Sequence, residues 1–152
     1  MRMALLLFIL GVSACGCSKK DTEQQTSAAA PEPERIEVQH ILIAFQGSVP
    51  GKNVTRTQSE AEALAGEVLE KAKKGEDFDA LVKQYTDDAF PGRYKMTNYG
   101  IPNDPSKEEY ERRHMVAAFG EVGFKLSVGG VGLAKHDPAT SPYGWHVIKR
   151  LQ

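Results

Sequence analysis

The sequence has little cysteine and no excess of either charge. Its 2 cysteines both lie before residue 18, so no disulfide is expected to join parts of a folded core further along the chain. Lys and Arg number 19 against 20 Asp and Glu. A nucleic-acid-binding protein normally carries a basic patch or stripe, so this charge balance gives no indication of nucleic-acid binding. The remaining composition, 41% hydrophobic and 26% charged in 152 residues, is typical of one globular domain with short appendages.

A long hydrophobic run is also missing. The apolar stretch at residues 4–10 follows a basic residue and is too short to cross a bilayer as a helix. With the small residues after it, this stretch predicts a signal peptide over residues 1–14. Residues 12–15 (Val-Ser-Ala-Cys) resemble a bacterial lipobox, so we expect Cys15 to be lipidated and to hold the protein at a membrane surface. Cys17 is a competing lipidation site, and the alternative is an ordinary signal peptide with an incidental cysteine.

The next segment, residues 15–34, contains polar and charged residues, three alanines and two prolines, but no large apolar side chain. A segment with so little apolar surface to bury cannot offset the entropy of ordering it. We therefore expect a lipidated N-terminus followed by a flexible tether. The folded domain is predicted to cover residues 35–152.

Two predicted strands, near the two ends of that domain, each carry a histidine in the middle. Residues 143–152 are rich in aromatic and β-branched residues and follow a Ser-Pro turn. Apolar residues fall on both faces of this strand, which indicates a strand covered on both sides. Residues 36–43 form a second strand of the same kind. If the two strands pair, the imidazoles of His40 and His146 can meet on one face.

Two helices are predicted after the first strand. Thr57 and Glu60 fit a capping box at the start of the first helix, whose apolar stripe continues to Ala72 and which ends at Gly75. Asp77 caps a second, shorter helix with apolar residues at i, i+3, i+4 and i+7. Both apolar stripes are expected to be core.

The second half of the domain is less regular. Residues 89–105, rich in Pro and Gly, predict a long loop. Residues 106–114 predict a polar turn or short helix opened by a capping box, residues 115–126 a further helix, and residues 131–134 a short strand. The order of elements predicts a small α+β domain with a central antiparallel or mixed sheet of about four strands, surrounded by about four helices.

Five segments in this order resemble the parvulin family of peptidyl-prolyl cis-trans isomerases. They are Val38-Gln39-His40-Ile41-Leu42; Gly75 to Phe78 with Tyr85-Thr86-Asp87-Asp88; Asn98-Tyr99-Gly100; Met115 to Phe119 with Phe124-Lys125-Leu126 and Gly129; and Tyr143 to Ile148. The resemblance covers residues 36–151 and implies a parvulin-like fold. It also implies a reaction that breaks no bond, because rotation about an X-Pro amide only has to cross a barrier of about 18–20 kcal/mol. No metal or other cofactor is therefore expected.

The resemblance further implies where the active site lies. An apolar pocket would hold the proline ring above a hydrogen-bonded histidine pair and bind the twisted amide better than either planar form. The predicted catalytic residues are His40, Asp88, Ser141 and His146. The predicted substrate-binding residues are Tyr99, Met115, Phe119 and Tyr143.

Each of these residues also has a structural interpretation. The two histidines can fix the sheet through hydrogen bonds, as buried polar groups usually do. Met115 and Phe119 can be plain core residues, and Asp88 a carboxylate at a helix end. A metal site built from the histidines has no supporting ligand spacing.

Parvulins that need phosphorylated substrates carry a basic cluster in the loop after the first strand. Here that loop has only Lys52 and Arg56, so phosphate specificity is not expected. We expect a monomeric isomerase, lipid-anchored in the bacterial cell envelope, that assists exported proline-containing polypeptides and binds no nucleic acid. The alternative is a tethered, non-catalytic chaperone module that binds extended peptides.

Overall fold

The computed structural model describes residues 31–152. The predicted signal peptide, Cys15 and most of the predicted tether lie outside these described residues. The strands and α-helices follow one another in this order: β1 Arg35–Ile43, α1 Gln58–Lys73, α2 Phe78–Tyr85, β2 Arg93–Thr97, β3 Glu109–Glu111, α3 Ala117–Lys125, β4 Val131–Ala134 and β5 Trp145–Arg150. Two short 3-10 turns, Pro105–Lys107 and Arg112–His114, flank β3. None of the described helices is both long and apolar enough to cross a bilayer.

The strands form one mixed sheet in the order β3-β2-β1-β5-β4. All neighbours are antiparallel except β2 and β3. The first and last strands therefore pair at the centre of the sheet, with Leu42 opposite His146 and His40 opposite Ile148. The α+β prediction with a small mixed sheet is confirmed, with five described strands and three α-helices.

Both faces of the sheet are covered, because successive side chains of a strand point to opposite faces. On one face, α1 and α2 pack on side chains of β1 and β5, namely Ile41, Ile43, Trp145 and Val147. On the other, α3 packs on Ile36, Val38, Met96 and Ile148. The prediction that the last strand is covered on both sides is confirmed.

Local signals set the ends of the first two helices as predicted. The Thr57 hydroxyl accepts from the Glu60 N–H, and the Glu60 carboxylate accepts from the Thr57 N–H at 2.7 Å. The carboxylate of Asp77 accepts from the Ala80 N–H at 2.7 Å and begins α2. Gly75, between the helices, has a φ of 87°, a conformation that favours glycine.

The structure corrects the prediction for residues 89–114. They contain two strands, β2 and β3, where a loop and a polar turn or short helix were expected. The predicted capping box does not form: Asp104 caps the first 3-10 turn through the Ser106 N–H, and the Glu109 carboxylate accepts from the Asp104 N–H. In this segment strand pairing determines the backbone structure, and the local sequence pattern that favours a helix does not.

The third helix is shorter than predicted, since it begins at Ala117 and leaves Met115 in extended backbone before it. Two glycines that lower its helix propensity have a packing role. A Cβ at Gly123 would stand 3.3 Å from Ile36 Cδ1, and one at Gly120 would stand 3.0 Å from Arg112 Cγ. These glycines let α3 lie close to the sheet and to the buried Arg112.

Candidate active site

A pair of buried histidines lies at the centre of the sheet face that α3 covers. Nδ1 of His40 on β1 is 3.1 Å from Nδ1 of His146 on β5, and the two rings are inclined by 15°. The contact is diagonal across the β1–β5 pair, since Leu42 is the residue opposite His146. The predicted meeting of the two imidazoles is confirmed.

Asp88 stands at the other edge of His40, just beyond the end of α2. Its Oδ2 is 3.3 Å from His40 Nε2, close enough for an ionic contact but not aligned as a hydrogen bond. The contact with His40, together with the Ala89 backbone N–H, lowers the pKa of Asp88 from 3.8 to about 2. The carboxylate is therefore ionised at neutral pH.

The ionised carboxylate fixes the position of one proton of the histidine pair. Because Asp88 can only accept, we assign a proton to Nε2 of His40, and one of the two Nδ1 atoms donates to the other. Burial, and then the nearby charge of His40, lower the pKa of His146 from 6.5 to about 3. His146 is therefore neutral at physiological pH.

An open cavity of about 270 Å³ lies above the histidine pair. Phe119 and Tyr94 set their rings edge-on to His40, with centroids 5.2 and 5.3 Å away. The other lining residues are Leu42, Val49, Asp88, Met115, Val116, Tyr143 and His146. The cavity is thus an apolar cup with imidazole and carboxylate groups at its floor and rim.

The loop at residues 44–56 supplies one wall of the cavity and is tied down by Asp87. The Asp87 carboxylate accepts from the Ala44 N–H at 2.8 Å and forms an ion pair with Arg56. Lys52 donates to the backbone carbonyl of Asp87. Since these contacts hold both ends of the loop, Val49 is kept against the cavity, and the two basic side chains of the loop are engaged internally.

Gly92 holds the backbone of His40 from the opposite side. The His40 N–H donates to the Gly92 carbonyl at 2.9 Å. Gly92 has a φ of 64°, and a Cβ there would stand 2.8 Å from the His40 carbonyl oxygen. Only glycine fits such a close approach without displacement, so the position of His40 depends on it.

Six of the eight predicted site residues come together at this cavity: His40, Asp88, Met115, Phe119, Tyr143 and His146. Ser141 is buried, but its hydroxyl donates to the Gly144 carbonyl at 2.8 Å, in the turn before β5, and does not line the cavity. Tyr99 is 60% exposed and lies over the Arg112 guanidinium instead. For these two residues the structure does not support a direct contact with a bound proline.

Four cavity residues were not predicted: Leu42, Val49, Tyr94 and Val116. Tyr94 takes the place expected for Tyr99. The sequence does contain a pattern that indicates a strand here, because Tyr94 and Met96 alternate with polar residues as in a half-buried strand. The prolines and glycines around them favoured a loop instead.

Comparison with known proteins agrees with this geometry. Residues 20–152 match the family model of the PPIC-type PPIase domain. The chain therefore belongs to this family of peptidyl-prolyl isomerase domains, the parvulins, as its motifs predicted.

The relatives of this chain include two groups of bacterial proteins. Foldase protein PrsA of Geobacillus sp. is 31% identical over 121 residues, which are 80% of this chain and 39% of PrsA. Chaperone SurA of Pseudomonas fluorescens is 32% identical over 120 residues, 78% of this chain and 23% of SurA. The chain thus spans about two fifths or less of the length of these relatives.

Two solved structures share the fold. The solution structure of TbPIN1 has a TM-score of 0.58 and 20% identity, covering 78% of this chain and 98% of that one. Peptidyl-prolyl isomerase ESS1 from Candida albicans has a TM-score of 0.55 and 19% identity, and the match covers 78% of this chain and 63% of the ESS1 chain. At these identities the likeness concerns the fold.

Proposed function

We propose that this protein is a peptidyl-prolyl cis-trans isomerase that assists the folding of polypeptides outside the bacterial cytoplasm. The observation that carries the proposal is the apolar cavity closed at its floor by the His40–His146 pair. Membership of the isomerase family supports it, as do relatives named foldase and chaperone.

In this proposal the cavity binds the proline ring and one face of the X-Pro amide. Resonance keeps the amide planar and sets a barrier of about 18–20 kcal/mol. The side chains of Tyr94, Met115 and Phe119 exclude water from the bound amide. Because the planar amide is more polar than the twisted one, a dry cavity favours the twisted transition state over both ground states.

The histidine pair and Asp88 supply fixed polar groups beneath the amide. Asp88 keeps a proton at Nε2 of His40, and His146 stays neutral because of its burial. Polar groups held in place in this way need no reorganisation when charge on the amide redistributes during rotation. We assign them a role in orientation and electrostatic stabilisation, without covalent chemistry.

The charges at the rim favour unphosphorylated substrates. Lys52 and Arg56 are engaged with Asp87, while the ionised carboxylate of Asp88 faces the cavity. A phosphate next to the proline would meet a like charge without a free cation from this loop to pair with it.

The proposal is tested by following cis-trans exchange of an unphosphorylated X-Pro peptide by NMR with and without catalytic amounts of the purified protein. We expect faster exchange, and a smaller acceleration for the same peptide phosphorylated before the proline. Unchanged exchange from a protein shown to be folded would contradict isomerase activity.

The alternative, a peptide-binding chaperone module, gives a different result in the same experiment. It predicts chemical-shift changes in the peptide without faster exchange. SurA, a relative named as a chaperone, is the reason to keep this alternative.

We also propose that the domain is tethered to a membrane through a lipid on Cys15. The supporting observation is the lipobox-like sequence ahead of this cysteine. A Cys15→Ser variant should move from the membrane to the soluble fraction on cell fractionation, whereas Cys17→Ser should not. Membrane association that survives Cys15→Ser but not Cys17→Ser would place the lipid on Cys17.

A further inference from the structure

A second cavity, of about 520 Å³, lies beside the first. It is formed by the loop at residues 89–92 and by the start of β2 and of β3. Tyr94 lines both cavities. The second cavity therefore adjoins the candidate active site, and Tyr94 stands between the two.

The contacts of Tyr94 show how close the two cavities are. Its ring centroid lies 5.3 Å from that of His40 and 5.8 Å from that of Phe119, both in the first cavity. In the direction of the second cavity, it lies 5.8 Å from the ring of Tyr110. A polypeptide that leaves the first cavity over Tyr94 therefore enters the second directly.

The second cavity presents exposed aromatic side chains. Phe90 is 50% and Tyr110 is 48% exposed. Among the described residues, five large apolar side chains are exposed, and three of them (these two and Tyr143) line the two cavities. Clustered exposed aromatic groups are typical of surfaces that bind a partner.

The backbone at this place is also open to pairing. β3 begins to pair with β2 at Lys95, so within residues 31–152 the outer edge of β2 has no strand neighbour at Arg93 and Tyr94. Glu108, which precedes β3, has a φ of 58°, a costly conformation for a residue other than glycine. An extended peptide can add to an unpaired strand edge of this kind through main-chain hydrogen bonds.

We propose that the second cavity binds the part of the substrate polypeptide that flanks the isomerised proline. The flanking segment would lie extended along the edge of β2, with an aromatic or aliphatic side chain between Phe90 and Tyr110. Charges of both signs, including Glu37, Glu108 and Lys95, line the cavity, so net charge of the segment is not selected. The inference rests on the proposed isomerase function and adds a specificity site to it.

The test compares a short blocked X-Pro peptide with two longer peptides, each extended on one side of the proline by a segment containing phenylalanine. Burying the added side chain should raise kcat/KM by about tenfold or more for one of the extended peptides. Phe90→Ala and Tyr110→Ala should each remove most of that gain and leave the short peptide unchanged. Tyr99→Ala, which removes an exposed tyrosine outside both cavities, is the matched control.

The inference is overturned if neither extended peptide is favoured, or if the two variants lower kcat/KM equally for short and extended peptides. Failure of the proposed function is separable from this, because binding is read independently. If exchange is not accelerated for any peptide, weaker binding of an extended peptide to Tyr110→Ala, measured by NMR titration, would still support the second site. Equal binding to wild type and Tyr110→Ala would contradict it.

Discussion

The two faces of the sheet are built from alternate residues of the same two central strands, but they differ in kind. Under α1 and α2, β1 and β5 contribute apolar side chains such as Ile41 and Val147 to a closed core. The buried Gln39 on this face donates to the Asp79 carboxylate of α2 at 2.6 Å. Under α3, the same strands present His40 and His146 beside Ile148, and the packing opens into a cavity. The comparison shows that the face under α1 and α2 contributes mainly to stability. On the face under α3, part of the core is replaced by the candidate active site.

The difference arises from the helices as well as from the strands. α1 and α2 together cover one face. The short α3 lies against the other face through Gly123 and against Arg112 through Gly120. The extended residues Met115 and Val116 before it form part of the cavity wall. The pairing of β1 with β5, with the core of α1 and α2 packed on it, sets the register of the two strands. That register in turn fixes the 3.1 Å contact between the histidines.

The largest expected effect comes from breaking the closed face. Phe78 on α2 is buried at 4% exposure and lies in the core under α1 and α2. Phe78→Ala should lower the free energy of unfolding by about 3–5 kcal/mol through lost burial and the cavity left behind. Urea unfolding measures this. Because the site lies on the other face, kcat/KM of the folded variant should stay near that of wild type; a large loss would show that the faces are not separable.

The next largest expected effect is a dependence of folding stability on pH, which tests the burial of His146 on the face under α3. The pKa of His146 is lowered to about 3 in the folded protein, from 6.5, so below pH 6.5 the unfolded chain binds more protons than the folded one. Stability should therefore fall as pH drops from about 6.5, by roughly 2–3 kcal/mol at pH 4.5. Asp88, with its pKa lowered from 3.8 to about 2, adds a further loss only below about pH 4.

Urea unfolding at pH 7 and 4.5 checks this pH dependence. His146→Gln should remove most of it, whereas His114→Gln, at an exposed position, should leave it intact. An unchanged slope in His146→Gln would mean that this histidine is not the buried neutral group we describe.

A smaller effect tests how the backbone positions the site. Gly92→Ala should cost about 1–3 kcal/mol and also lower kcat/KM, because the new Cβ must displace the His40 backbone. Gly47→Ala is the matched control: it also has a positive φ, of 79°, but a Cβ there meets nothing within 4 Å. Ring-proton NMR signals of His40 and His146 should shift in the first variant only. Equal shifts in both would contradict a specific contact with His40.

How much of this could be predicted differs between the two faces. The closed face was predictable because its signals are local: the Thr57–Glu60 capping box, the apolar stripe of α1 and the Asp77 cap all formed as expected. The histidine pair was predictable from strand alternation, given that the strands pair. These features depend on residues close in sequence or on one pairing.

The rest of the site depends on contacts between distant residues. The sequence predicts a loop at β2 because Pro91 and Gly92 precede it. The segment becomes a strand only by pairing with β1. The choice between Tyr94 and Tyr99 as a cavity wall needs the register of that pairing. Likewise, nothing local indicates that Asp87 ties down the loop carrying Arg56.

The smallest expected effect tests the choice between Tyr94 and Tyr99 as the wall of the cavity. Tyr99→Ala should change kcat/KM for a short X-Pro peptide by less than about twofold, because Tyr99 lies over Arg112 and outside the cavity. Tyr94→Ala should lower it clearly. A larger loss for Tyr99 than for Tyr94 would restore Tyr99 as the substrate-binding tyrosine.

The most direct test of the central claim compares two phenylalanines, one on each face, in the same NMR exchange experiment. Phe119→Ala removes the ring over His40, and the lost burial of the proline ring should lower catalysed exchange by roughly 10- to 100-fold in protein shown to be folded. Phe78→Ala, measured at a temperature where it is folded, should leave exchange near the wild-type rate. Equal rates for the two variants, whether both reduced or both unaffected, would contradict the assignment of catalysis to the histidine face.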